Sequence, residues 1–463
     1  VINKLNKLSE EDRTAMDLLC MKSIPFCNKK KYHHKTIDYF KEHYKVKKYQ
    51  GVEWFVVNCS LAISRKYKGM TVKTSNGYWS GNKHGIGARQ VKSFLDWLES
   101  NRYIDIYTGY IRGTGEFREG FATKILFTDK LIELVTELET VHDHIGSQLP
   151  DGVIVVKDRT SKKQRSPIIL PDYQDKKIKM ENYNTRLLTA KIDYMNLPIP
   201  LIEYFRSFLY DPATGVISGG RLYVQGGGIQ TVSGSLRRKY LTINNEPVVE
   251  MDFACANPYI LLTIELNNSG ISSANEYASN LNDNYDPYTL DGSFIKNDST
   301  TEYDTSDITK QHSRITAVLT PKELAVRNIT KDALLIALNS RSKVEAVSAI
   351  SGSKYRDTCK TDEDQRYYGL GQISSSKLLD LLAEHNDLIS HHFYTGIGLV
   401  LQKYDSDIAM EVIDTVLQQG YDILCWHDSF VVQASAKDVL RKAMRDAWIS
   451  VLKDDRFCVI TER

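Results

Sequence analysis

The stretch Val248-Val249-Glu250-Met251-Asp252-Phe253-Ala254-Cys255-Ala256-Asn257-Pro258-Tyr259 restricts the folds open to this chain more than any other. It reads as a buried strand that delivers one carboxylate, Asp252, and then turns directly into a helix. Far downstream, Tyr421-Asp422-Ile423-Leu424-Cys425-Trp426-His427-Asp428-Ser429-Phe430-Val431-Val432 repeats the logic: an apolar run, a second aspartate at a tight turn, and an apolar run returning. An aspartate at a strand end is an ordinary turn residue. Two of them on buried strands can instead share a pair of Mg²⁺ or Mn²⁺ ions, the arrangement that stabilises attacking and leaving oxygens in displacement at phosphorus.

A third element lies between them. In Arg327-Asn328-Ile329-Thr330-Lys331-Asp332-Ala333-Leu334-Leu335-Ile336-Ala337-Leu338-Asn339, helix formers dominate, and Arg327, Lys331, Leu335 and Asn339 recur at intervals of four along one stripe. Two cations one turn apart suit a triphosphate, Arg by its planar fork and Lys as a point charge. The same spacing also suits a solvated basic face.

Taken in order, the three elements resemble motifs A, B and C of the family A polymerase superfamily, which includes DNA polymerases and the single-subunit phage and mitochondrial RNA polymerases. His427-Asp428-Ser429-Phe430 is similar to the RNA polymerase form of motif C, the DNA enzymes usually having Glu at the Ser429 position. Gly219-Gly220-Arg221-Leu222-Tyr223 resembles the segment preceding motif A, Asp286-Pro287-Tyr288-Thr289 one between motifs A and B, and Leu401 to Ala409 the polar-faced helix before motif C. The resemblance implies Asp252, Asp428 and the Phe253 carbonyl as metal ligands. It implies Arg327 and Lys331 on the incoming triphosphate, Lys331 with a catalytic part, Leu335, Asn257 and Asn339 around the nucleotide, Arg221 on a phosphate or the template, and His427 at the primer end. The chain departs from motif B at Asn339-Ser340, where the family has Tyr-Gly. It departs again at Lys343 to Lys360, rich in Ser, Gly and charge, where the family has a helix pair.

With 463 residues, two or three domains are expected. Hydrophobic content of 42% and charge of 25% are ordinary for a globular protein, and no apolar run or signal-peptide pattern points to a membrane. A cytoplasmic protein of a bacterial or phage-infected cell is therefore expected. Seven cysteines without a Cys-x-x-Cys pair signal neither a disulfide framework nor a zinc site.

Net charge is only +2, but residues 1–100 hold 19 Lys and Arg against 9 Asp and Glu, so the other 363 residues sum to −8. That asymmetry suggests an amino-terminal footprint for phosphate backbone. The region reads as a helix at Trp54–Tyr67, a second at Ala88–Asn101 with Val91, Phe94, Leu95 and Leu98 on one face, strands at Tyr103–Tyr107 and Phe121–Phe127, and a last helix capped by Thr128 and Asp129 and running through Leu138. This order resembles a winged helix-turn-helix domain of plasmid and phage replication proteins. The resemblance implies duplex contacts from Arg89, Gln90 and Lys92 on the recognition helix and from Arg112 and Arg118 on the wing. Beyond it, 141–180 reads as a linker with one strand at Val153–Val156, and Asn280–Gln311, with seven acids and two bases, as an exposed loop.

The expected fold is α+β: a winged-helix domain over 1–140, a linker over 141–180, and over 181–463 a right-hand polymerase with an antiparallel palm sheet and helical fingers. The expected function is template-directed nucleotidyl transfer on DNA, with ribonucleotides slightly favoured. Asn257 stands where the DNA enzymes carry the glutamate that excludes a 2′-hydroxyl. Two alternatives are a DNA polymerase using dNTPs, and a DNA-binding replication initiator whose polymerase-like half does not catalyse.

Overall fold

The computed structural model describes residues 3–22, 35–45, 49–73, 86–112, 119–138, 152–200, 202–224, 228–268, 285–290, 321–351 and 373–463, to which the following statements refer. The architecture is α+β, with helices set against largely antiparallel sheets. The chain folds as two compact units that alternate along the sequence. The first takes Val1–Val155, Met180–Phe205 and Tyr223–Val248; the second takes Val156–Lys179, Arg206–Leu222 and Val249–Arg463.

The amino-terminal part comprises β1 (Asn3–Lys4), α1 (Glu10–Leu19), β2 (Cys20–Lys22), α2 (Lys35–His43), α3 (Gln50–Ser64), β3 (Gly69–Val72), α4 (Ala88–Ser100), β4 (Ile104–Thr108), β5 (Tyr110–Arg112), β6 (Glu119–Phe121), β7 (Thr123–Phe127) and α5 (Asp129–Leu138). Helix α4 buries Val91, Phe94, Leu95 and Leu98, the face its periodicity predicts. Helix α3 stops earlier than expected, because Lys66 enters the left-handed region at φ 63° and breaks the repeat. The expected strand pair is β4 and β7, in antiparallel register with Ile106 opposite Ile125. It sits in a five-stranded mixed sheet ordered β1-β4-β7-β3-β2. Short strands such as β1 and β3 carry too few alternations to be read from sequence.

Further along lie β8 (Ile154–Asp158), β9 (Gln164–Arg165), α6 (Tyr173–Thr189), β10 (Ile192–Tyr194), β11 (Leu197–Pro198), β12 (Tyr204–Tyr210), β13 (Ile217–Val224), α7 (Gly234–Tyr240), β14 (Leu241–Ile243) and β15 (Glu246–Phe253). The expected linker is thus regular structure from 154 onwards. Its polar composition hides α6, which buries Met180, Tyr183 and Leu187 at helical spacing. Of the expected acidic loop only 285–290 falls within the described residues.

The last part is α8 (Ala256–Asn268), α9 (Pro321–Asn339), α10 (Lys343–Ser351), α11 (Ser375–His385), α12 (Asp387–Ser390), α13 (Gly398–Gln418), β16 (Ile423–Trp426), β17 (Ser429–Gln433), α14 (Lys437–Leu452) and β18 (Ile460–Glu462). Helices α9, α10 and α11 pack on one another. The Ser- and Gly-bearing segment from Lys343 therefore opens with a helix, and its remainder, 352–360, lies outside the described residues. Strands β16 and β17 are buried along their whole length, with α13 against the first and α14 against the second. Covered on both faces, they read as unbroken apolar runs. Among the described residues no helix is long and apolar enough to cross a membrane.

Candidate active site

Every group of the site belongs to the second unit. The end of β15 is flanked by β17 and by β18, whose register sets Asp252 opposite Thr461. The hairpin β16–β17 closes with Trp426 opposite Ser429, leaving His427 and Asp428 as its two-residue turn. The Phe253 N–H donates to the Asp428 carbonyl at 3.1 Å, which ties the two predicted metal-ligand segments together. Both turns are strained: His427 and Cys255 have φ of 61° and 51°, a conformation that costs a non-glycine residue roughly 1–2 kcal/mol.

The carboxylates crowd. Burial first, and then the charge of Asp252, push the Asp428 carboxyl up, while Arg221 and Lys331 oppose the rise. The Asp252 side chain is buried and accepts hydrogen bonds from the Thr461 hydroxyl and the Arg463 guanidinium. Burial, chiefly, pulls the His427 imidazole down to about 4, so it is neutral at pH 7.

A third carboxylate joins this pair, one not singled out from sequence. Asp405 of α13 is buried, and its pKa is raised from 3.8 to about 7 by burial and then by the Asp428 charge. Its partner is Arg221, whose Nε donates to Asp405 Oδ2 at 3.1 Å. At the next two positions of α13, Arg206 of β12 donates to Ser406 Oγ at 2.9 Å and to Asp407 Oδ1 at 2.8 Å. Gly220, at φ 92°, makes this approach possible: a Cβ there would lie 2.6 Å from the Phe208 ring and 2.7 Å from Ser406 Oγ. Period-two alternation could have found one more acid, Glu250, on the same face of β15 as Asp252. It is fully buried and accepts from the Ser429 hydroxyl at 2.9 Å. A carboxylate thus reaches position 429 from the neighbouring strand, where the resemblance expects it on residue 429 itself in the DNA enzymes.

Helix α9 divides its predicted stripe. Lys331 is exposed, and its charge acts on Asp428. Arg327 is buried, with Nε on Asp286 Oδ2 at 2.7 Å, Nη2 on Cys255 Sγ at 3.6 Å and its guanidinium 5.2 Å from the centre of the Tyr288 ring. Asp286, from the short segment between motifs A and B, also accepts from the Tyr288 N–H at 2.9 Å. Leu335 is half-buried; exposed Asn339 donates to the Leu335 carbonyl at 2.7 Å and lies against the Gly398 backbone. The Asn257 side-chain oxygen is buried with no hydrogen-bond partner among the described residues.

In the first unit, Arg89 and Lys92 are exposed on α4, whereas Gln90 turns back to accept from the Gly87 N–H and caps the helix. Arg112 ends β5, and Arg118 lies outside the described residues.

No protein-family model matches the chain, and no curated protein does. Among solved structures, the POL domain of Pol1 from M. smegmatis, in complex with DNA primer-template and dNTP, is similar at a TM-score of 0.30 and 10% identity. The match covers 63% of this chain and 50% of that one, so the chain spans half the length of its structural neighbour. A likeness this slight does not speak for a shared activity.

Proposed function

We propose that this chain is a template-directed nucleotidyltransferase acting on DNA, with Asp252 and Asp428 at its centre. One observation carries the reading: buried Asp252 at the end of β15 and half-buried Asp428 in the adjoining hairpin turn, the latter carboxyl raised by burial and then by the charge of the former, with the exposed cation Lys331 acting on the same group. Such a cluster is costly unless a cation or a proton offsets it. Hard carboxylate oxygens in this number fit Mg²⁺ or Mn²⁺, held by Asp252, Asp428 and the Phe253 carbonyl. When bound, the ions would neutralise charge on the attacking and leaving oxygens.

The protein's own groups divide the remaining work. Lys331 binds the leaving phosphates of an NTP or dNTP. Arg327, committed to Asp286, braces α9 rather than gripping phosphate. Neutral His427 lies beside Asp428 as a hydrogen-bonding contact for the primer end, and Arg221, fixed by Asp405, faces a phosphate or the template. Asn257 offers an unpartnered oxygen to the sugar, which favours ribonucleotides or weak discrimination. Exposed Arg89 and Lys92 are proposed duplex contacts of a winged-helix-like amino-terminal domain.

The test is incorporation of labelled NTPs and dNTPs on primed and unprimed single-stranded DNA with Mg²⁺, for the wild type and Asp428→Asn. Metal-dependent extension that the variant lacks is expected. A second reading, a DNA-binding replication initiator without catalysis, is favoured by the Arg463 and Thr461 contacts that already occupy Asp252. Absence of incorporation by both wild type and Arg463→Ala would establish that second reading over the first.

A further inference from the structure

Glu265 lies in the last turn of α8, and His391 and His392 follow α12 directly. Their ligand atoms gather within 4.8 Å of one another. His392 Nε2 is 2.8 Å from Glu265 Oε1, and His391 Nε2 is 3.4 Å from Oε2, so each carboxylate oxygen faces its own imidazole. The two rings are 4.1 Å apart and inclined at 39°. Consecutive residues on a helical path diverge by roughly 100°. Two neighbouring imidazoles turned onto one carboxylate are therefore an arrangement that a single hydrogen bond does not require.

We propose that Glu265, His391 and His392 form a site for a borderline transition-metal ion, Zn²⁺ in the first instance. Two imidazoles and a carboxylate are a recurring three-residue zinc set, with a further position left to water. Bonds of about 2.0–2.2 Å put tetrahedral ligand atoms roughly 3.3–3.5 Å apart, within the range the three groups already span. Glu265 and His392 are largely covered, with side chains 17% and 22% exposed, while His391 at 58% leaves the site open on one side. A carboxylate in the last turn of a helix is also poorly placed against the helix dipole, and a cation beside it reverses that penalty. Imidazole nitrogens select against Mg²⁺, so this site is chemically distinct from the aspartate pair and stands independently of the proposed activity. A bound ion would pin the end of α8, the helix that follows Asp252, to the turn that leads into α13, the helix that carries Asp405.

The experiment uses the full chain, stripped with a chelator and titrated with Zn²⁺ against a chromogenic zinc indicator in excess Mg²⁺. The wild type is compared with His391→Asn, His392→Gln, Glu265→Gln and the double histidine variant. One equivalent of Zn²⁺ is expected in the wild type and none in the double variant, with binding at least tenfold weaker in each single variant. Zn²⁺ should also raise the melting temperature of the wild type alone. Because His391 is mostly exposed, His391→Asn should melt like the wild type in chelator, and it keeps the test decisive if the double variant fails to fold. An unchanged equivalent in His391→Asn and the double variant, or no equivalent in the wild type, would overturn the site and leave the trio as a hydrogen-bonded cluster.

Discussion

Replacing Asp405 with asparagine is expected to stabilise the metal-free protein at pH 8 and to leave it nearly unchanged at pH 4. The folded-state carboxyl titrates near 7 and the unfolded one near 3.8, so between those values the folded chain holds a proton that the unfolded chain has lost. Stability therefore falls as pH rises through that window, and below it the acid and the amide are nearly equivalent. A gap of about three pH units, at about 1.36 kcal/mol each, sets the ceiling on the difference at roughly 4 kcal/mol. The raised value already includes the pull of Arg221. Freed of its partner, Arg221 remains about a quarter exposed, and water can replace the lost acceptor. Urea unfolding of wild type and Asp405→Asn, in chelator from pH 4 to 8, measures the difference, and Mg²⁺ should narrow it at pH 8 by binding the ionised cluster. A variant less stable than wild type at pH 8, or a difference independent of pH, would mean that Asp405 is ionised throughout and that its pairing with Arg221 outweighs the crowding.

If Lys331 grips the leaving phosphates, Lys331→Ala should lower kcat/KM for nucleotide about 100-fold, or roughly 2.7 kcal/mol; unchanged kinetics would make α9 a solvated face at that position. On one template, kcat/KM for ATP and dATP should differ by no more than about 200-fold, because a wall lacking one methylene discriminates by only about 1–3 kcal/mol, and a dATP preference beyond about 1000-fold would remove Asn257 from the sugar pocket. Binding of the full chain to duplex DNA should weaken steeply with salt, and Arg89→Ala with Lys92→Ala should flatten the log–log slope by about 0.9 for each phosphate no longer neutralised; an unaltered slope would exclude α4 from the DNA interface. Gly220→Ala should destabilise the protein by about 1–3 kcal/mol, since it adds a side chain at positive φ against Phe208 and Ser406, and an unchanged melting temperature would refute that close packing.

The sequence by itself determined the elements whose residues carry their own periodicity. Strands β16 and β17 follow from apolar runs and β15 from an apolar stretch that alternates with Glu250 and Asp252, α4 and α9 from their repeats, and the hairpin turn at His427-Asp428 from the polar pair between two apolar runs. Those elements carry Asp252, Asp428 and Lys331, so the residues of the candidate site were legible as three local statements. Partners distant in sequence were decided only by the tertiary structure. Nothing near Arg327 announces that it will be buried on Asp286 while Lys331, one turn on, stays exposed, because the two differ in what packs over them and not in their own pattern. Asp405 reads as one of several polar residues on α13 until β13 brings Arg221 against it and the hairpin sets Asp428 nearby. Glu250 and Ser429 meet only through strand pairing. Periodicity reports which face of an element is buried, but the energy of a buried charge depends on which charges and dipoles stand opposite it, and those come from elsewhere in the chain.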